Sequence, residues 1–242
     1  MNDIIKDLFE RKSVRVFENK PIEAEKKQLI LEAAAMAPTA GNQQLYTILD
    51  ITNNDIKKQL VETCDHQPFI ATAPLVLIFC ADCKKWYDAF QDAACQPRKP
   101  AVGDLFLAMD DALIAAQNAV VAAQSMGIGA CYIGDVMENC EVQRALLNLP
   151  PYVFPAAMLV FGYPTKQQQT RVKPQRIPME YLVHENGYQE LDSEQLKAMF
   201  ANKPINTSYE QWMQAFCKRK YNSEISKEMR RSDAQNLKDF KE

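Results

Sequence analysis

From Asn2 to Glu10 the apolar residues Ile4, Ile5, Leu8 and Phe9 recur at helical spacing, which predicts a short amphipathic helix. The stretch that follows, Arg11-Lys12-Ser13-Val14-Arg15-Val16-Phe17, alternates in character and is rich in β-branched residues, so extended chain is expected there. Pro21 opens a second helix whose first turn carries Glu23 and Glu25, where the helix dipole favours negative charge. Leu29, Ile30, Ala33, Ala34 and Ala37 give that helix its apolar face, and Pro38 stops it. Thr39 to Asn42 then reads as a loop and Leu45 to Ile51 as a strand.

A polar helix is expected from Asn54 to Thr63, and a buried strand from Leu75 to Cys80, an apolar run bounded by Pro74 and Asp82. Cys83 to Gly103 reads as irregular, with Trp86, Tyr87 and Phe90 ahead of Pro97-Arg98-Lys99-Pro100. Loops of that length are usually functional or mobile. Asp104 to Met126 carries the strongest helical pattern. Its alanines are spread around nearly the whole circumference, so burial on most sides is expected, with Gly127 and Gly129 ending it. Ala130–Ile133 and Ala156–Gly162 read as strands around a helix from Asn139 to Leu147. Beyond Tyr163-Pro164 the chain turns polar and basic as far as Pro178, and helix formers return from Asn206. Strands separated by helices around one buried helix point to an α+β or α/β layered architecture. No repeat or clean linker divides residues 1–242, so a single domain is expected.

Composition narrows the function class. Hydrophobic residues make up 47% of the chain and charged residues 24%, an ordinary globular balance. A net charge of -3 argues against a general nucleic-acid binder. Polar interruptions at Asp110, Asp111, Gln117, Asn118 and Gln124 break the longest apolar stretch, so no membrane span is expected. Seven scattered cysteines and no signal-like amino terminus predict free thiols in a reducing, cytoplasmic setting.

Several constellations could carry chemistry. In extended chain, residues two apart share a face, so Arg11, Ser13 and Arg15 would offer two guanidiniums and a hydroxyl to one anion, a donor set suited to phosphate; a solvated basic patch is the plainer reading. Pro38 to Gln44 is an amide-rich loop able to bond the edge of a heterocycle, or simply a turn. Gly127, Gly129 and Gly134 crowd one short segment in a glycine-poor chain, marking positive φ or close backbone approach. Their spacing fits neither a dinucleotide fingerprint nor a phosphate loop. Cys80 and Cys83 have redox-pair spacing but lack the strand-to-helix setting that lowers a thiol pKa. The two histidines, His66 and His184, lack metal-ligand partners at usual spacings.

Taken together, these segments resemble the nitroreductase family of FMN enzymes, in particular its flavin reductase and oxygen-insensitive nitroreductase group. The matching pieces are Arg11 to Phe17, Ala37 to Gln44, Ala115-Ala116-Gln117-Asn118 with Gly127 to Gly129, Tyr132-Ile133-Gly134, and Arg176-Ile177-Pro178 followed by Val183 to Asn186. They are co-linear and span nearly the whole chain. The resemblance implies an α+β fold with a central mixed β-sheet flanked by helices and a C-terminal helical extension from about residue 190. It implies a homodimer with FMN at the subunit interface. Arg11, Lys12, Ser13 and Arg15 would hold the phosphate and ribityl chain. Thr39 and Gln67 match polar flavin contacts, Asn42 and Gln44 are their neighbours, and the backbone of Tyr132, Ile133 and Gly134 would approach the ring. Lys173 and Arg176 stand near the family's Lys-Pro-Arg, here with one extra residue between them. Lys12 stands where the family often has arginine.

The implied activity is a two-electron transfer from NAD(P)H to a small oxidised acceptor (a nitroaromatic, a quinone or free flavin) by a ping-pong route, with the cofactor carrying the redox chemistry. Arg219, Arg230 or Arg231 would read the 2′-phosphate of NADPH. Two other readings stand beside this one. The first is a flavin-holding storage, sensor or partner-binding protein, in which turnover is incidental. The second is a dithiol oxidoreductase using Cys80 and Cys83.

Overall fold

The computed structural model describes residues 1–203 and 206–241. Contacts divide the chain into two compact units, residues 1–171 with Lys227 onward, and Val172–Ser226.

The first unit is built on four strands, β1 (Tyr46–Asp50), β2 (Leu75–Asp82), β3 (Gly129–Ile133) and β4 (Val153–Gly162), in the order β1-β2-β4-β3. Every neighbouring pair is antiparallel. The parallel pairing that would make the sheet mixed is an isolated bridge, Ser13 to Ala130. Strand alternation divides the core between the two faces of the sheet. Leu75, Leu77 and Phe79 of β2 pack with Ile30, Ala34 and the alanines at 112, 115, 116 and 119, while Val76, Ile78 and Cys80 pack with Leu60, Ile70 and Leu147. Where β4 places Pro155 opposite Cys80 the register shifts, because proline cannot donate to the ladder.

Helices α1 (Asp3–Glu10), α2 (Ala24–Ala35), α3 (Asn54–Thr63), α4 (Phe69–Thr72), α5 (Lys84–Asp92), α6 (Val102–Ser125), α7 (Cys140–Leu147) and α8 (Lys166–Thr170) complete the run to Arg171. Asn2 and Asn53 cap α1 and α3 by accepting from backbone N–H groups of the first turn. Helix α2 starts at Ala24, later than Pro21 suggests. The segment expected to be irregular after Cys83 opens with α5. The buried Asp82 accepts from the backbone N–H groups of Lys84 and Lys85 at 3.0 and 3.2 Å, and Trp86 packs on Phe90 one turn on.

Helix α6 differs from expectation in two ways. Its length and composition are sufficient for a membrane span, polar interruptions notwithstanding. Leu105, Ala108, Ala112, Ala115, Ala119 and Ala123 are nonetheless buried against the sheet, as in a core helix. It is also not buried on most sides, because Phe106, Leu107, Leu113 and Ile114 are exposed.

Two glycines carry close approach. A Cβ on Gly129 would lie 2.5 Å from Val14, and one on Gly162 would lie 2.6 Å from Phe17. Their lack of a side chain lets the segment from Ser13 to Phe17 lie against β3 and the end of β4, where Val14 N donates to Ala130 O at 3.0 Å. Gly127 ends α6 at φ +73.

The second unit holds α9 (Ser193–Ala198) and α10 (Tyr209–Lys220), both with capping boxes, from Asp192 and Ser208. Phe200, Tyr209, Trp212 and Phe216 form its aromatic stack. Helix α11 (Glu224–Asn236) leads to a last turn, Leu237–Phe240. Phe240 is buried among Leu45, Ala81, Leu105 and Phe154, and Arg144 pairs with Asp239. The chain from Lys227 is thus part of the first unit.

Candidate functional site

The extended segment after α1 sorts its side chains as alternation requires. Val14 is buried in the fold, and Lys12 on the same face donates from Nζ to the carbonyls of Gln169 and Arg171, at 2.6 and 2.5 Å. Lys12 therefore anchors the chain after α8. Arg171 returns the contact by donating to the carbonyl of Ser13. Arg11, Ser13 and Arg15 take the opposite face. The Arg11 guanidinium stands 5.7 Å from the centre of the Tyr132 ring, and its Nε and one terminal nitrogen are buried with no hydrogen-bond partner. A cation so placed is costly unless something anionic completes it. Arg15 lies 6.0 Å from the Phe69 ring.

Strand β3 delivers Tyr132 and Ile133 to this place. Ile133 is buried, so only its backbone is available, while the Tyr132 hydroxyl reaches Gln117 Oε1 on α6 at 3.3 Å. Burial pushes the Tyr132 phenol up to about 12, with Arg11 pulling the other way. Gly134 ends the strand and leads into the turn Asp135–Met137. Asp135 accepts from Gln67 Nε2, which also donates to Cys64 O at 3.0 Å. Arg11, Ser13, Arg15, Gln67, Tyr132, Ile133 and Gly134 thus lie along β3 and the turn that follows it.

Thr39, Asn42 and Gln44 sit elsewhere, against the amino-terminal half of α6. Gly41, Asn42 and Gln44 all have positive φ, which folds the loop tightly. The organiser is Asp111, 2% exposed, which accepts from Thr39 Oγ1, from Ala40 N at 2.9 Å and from Leu45 N at 3.0 Å. The Gln44 amide donates to Asn42 Oδ1 at 2.9 Å, and Trp86 Nε1 holds Gln43 O at 2.7 Å. Asp111 and Gln117 are separated by roughly 9 Å along the helix at 1.5 Å per residue. Within one chain the loop and the Arg11 cluster therefore do not meet.

Lys173 and Arg176 belong to the second unit. There, Lys173 lines a cavity of about 450 Å³ with Pro174, Gln175 and Lys203, and Arg176 is exposed. Of the remaining sequence candidates, Arg230 is exposed. Arg231 forks onto Glu141 at 2.9 and 2.7 Å and also bonds Glu228, and Arg219 covers the Phe216 ring. Burial pushes the thiols of Cys80 and Cys83 up to about 12, the opposite of a reactive pair. Among the described residues no cluster could hold a metal.

The donor set fits FMN: two guanidiniums, one of them buried and incomplete, a free hydroxyl face, backbone at a strand end and a fixed side-chain amide. Sequence reasoning missed Asp111 and Asp135, because each acts through a partner distant in sequence.

Known proteins place this geometry. The nitroreductase family sequence model matches residues 8–163. The chain is 31% identical over 190 residues to an FMN reductase [NAD(P)H] of Bacillus subtilis, covering 78% of this chain and 75% of that protein. It is 32% identical over 219 residues to an oxygen-insensitive NADPH nitroreductase of Salmonella typhimurium, covering 88% of each. Its fold superimposes on the NADPH:FMN oxidoreductase of Vibrio harveyi, solved in complex with NAD+, with a TM-score of 0.80, 26% identity and 98% of each chain covered. With its match extending across the Arg11 segment, the amide loop and β3 alike, this chain belongs to the nitroreductase family.

Proposed function

We propose that the protein is an FMN-dependent oxidoreductase that passes two electrons from NAD(P)H to a small oxidised acceptor and works as a homodimer. The carrying observation is the Arg11 guanidinium beside Tyr132, with two of its nitrogens buried and without a partner, in a member of this family. Arg11, Ser13 and Arg15 would take the FMN phosphate and ribityl chain, with Gln67 toward the ring. When bound, FMN supplies the redox chemistry. The residues around it bind, orient and exclude water, and none need act as acid or base. Donor and acceptor would use one open face in turn.

Dimerisation has physical support. Phe106 is 64% exposed and Phe9 68%, and Leu113, Ile114 and Ile4 are exposed with them. An apolar surface of that kind usually meets a partner. A two-fold pairing through α6 would set the amino-terminal half of one helix, with its Thr39–Gln44 loop, beside the carboxy-terminal half of the other, with its Arg11 cluster. The loop residues expected to touch flavin would then do so across the interface. All seven cysteines being free agrees with a reducing, cytoplasmic compartment.

Titrating FMN-free protein with FMN should quench flavin fluorescence to an end point of one FMN per chain, and sedimentation should give the mass of two chains. Ile114→Glu should lower both the mass and the FMN affinity. A monomer that binds FMN as tightly as any dimer would remove the shared-site reading.

A further inference from the structure

Glu138 lies just past the turn that carries Asp135, 4% exposed, and its Oε1 is buried with no hydrogen-bond partner. An ionised carboxylate is rarely left so. Its other contact is the Asp135 side chain, and Asp135 in turn accepts from Gln67 Nε2. Two acceptors, Asp135 and Cys64 O, therefore claim the Gln67 amide nitrogen, which leaves its Oε1 outside both bonds. Gln67 itself sits on a strained turn, after Asp65 and His66, both at positive φ.

We propose that Glu138 keeps its proton toward Asp135, and that this pair holds Gln67 with its amide oxygen presented to the flavin. Both are positioning residues acting through Gln67. This rests on the FMN reading above.

The surroundings agree. Burial, then Asp135, raises the Glu138 carboxyl to about 7, with Asp65 and Glu228 adding to the effect. Glu228 on α11 is itself bound by Arg231, Ser232 and Asn139 N, and Cys64 at the end of α3 is a thiol that burial raises to about 12. Below pH 7 Glu138 holds its proton. Above it, Glu138 loses that proton, two carboxylates face each other, and the grip on Gln67 loosens. Retention of an amide acceptor toward a heterocyclic N–H therefore belongs to the acid side of neutrality.

The test is the FMN dissociation constant from fluorescence quenching between pH 5.5 and 8.5, for wild type, Glu138→Gln and Gln67→Leu. Ratios between proteins at each pH cancel the ionisation of the FMN phosphate. Wild type should weaken roughly three- to tenfold relative to Glu138→Gln as pH passes 7, which corresponds to up to one pKa unit of coupling. Gln67→Leu should be weaker throughout and lack that step, although Glu138 is intact. The visible band of bound FMN should shift with the same midpoint in wild type alone. Parallel curves for wild type and Glu138→Gln, or a step that survives in Gln67→Leu, would overturn the proposal while leaving FMN binding standing. If Glu138→Gln does not fold, wild type against Gln67→Leu decides alone. Absence of FMN uptake by wild type at any pH would overturn both this proposal and the cofactor assignment.

Discussion

Replacing Arg11 and Arg15 together by methionine should weaken FMN binding by roughly 100- to 1,000-fold while leaving the FMN-free protein as stable as wild type or more so. The two halves of this result have one cause. Charge-assisted hydrogen bonds to phosphate contribute on the order of 1.5–3 kcal/mol each, so losing two cations reaches that range. In the free protein two of the three Arg11 guanidinium nitrogens are buried and bond to nothing, and relieving such a group offsets the loss of its packing. Methionine keeps the aliphatic bulk that lies over Tyr132. Equilibrium dialysis against FMN and thermal unfolding of FMN-free protein read the two halves separately. Weak binding together with a large drop in Tm would mean that Arg11 is structural and that the phosphate assignment is misplaced.

The second large effect concerns Asp111. Changing it to alanine strands the Thr39 hydroxyl and two backbone N–H groups in the interior, at a cost of about 3–5 kcal/mol. For a chain of this size that should lower Tm by roughly 8–15 °C. The loop should loosen as well, so protease cleavage near Gly41 should precede global unfolding. Asp111→Asn keeps one acceptor and should recover about half of the loss. A change in Tm below about 2 °C for Asp111→Ala would show that the loop is held by other contacts.

The parts of this protein that could be read from its sequence are those set by local physics. The helical spacing of Ile4, Ile5, Leu8 and Phe9, the run from Leu75, and the glycines flanking β3 each encode an element within a few residues of itself. The same alternation that predicts extended chain at Arg11–Phe17 places Arg11, Ser13 and Arg15 on one face. It equally takes Lys12 off that face, since a residue between them points the other way. The helix at Lys84 was hidden because its start depends on Asp82, which ends a strand and binds the first helical N–H groups. Asp111 looked like an interruption in an apolar helix, and its three donors, more than sixty residues upstream, cannot be seen in local spacing. Asp135 and Glu138 were hidden likewise, because their meaning depends on Gln67, which the fold brings to the end of β3. The exposed side of α6 is the opposite case. Its sequence predicts burial on most sides, and a partner copy would supply what one chain leaves open.

The measurement that bears most directly on the central claim is an absorbance spectrum of the purified protein, followed by anaerobic addition of NADPH and then of a nitroaromatic or a quinone. Flavin bands that bleach with NADPH and return with the acceptor are the predicted result. A colourless protein that takes up no added FMN, or bound FMN that NADPH and NADH both fail to bleach, would contradict it.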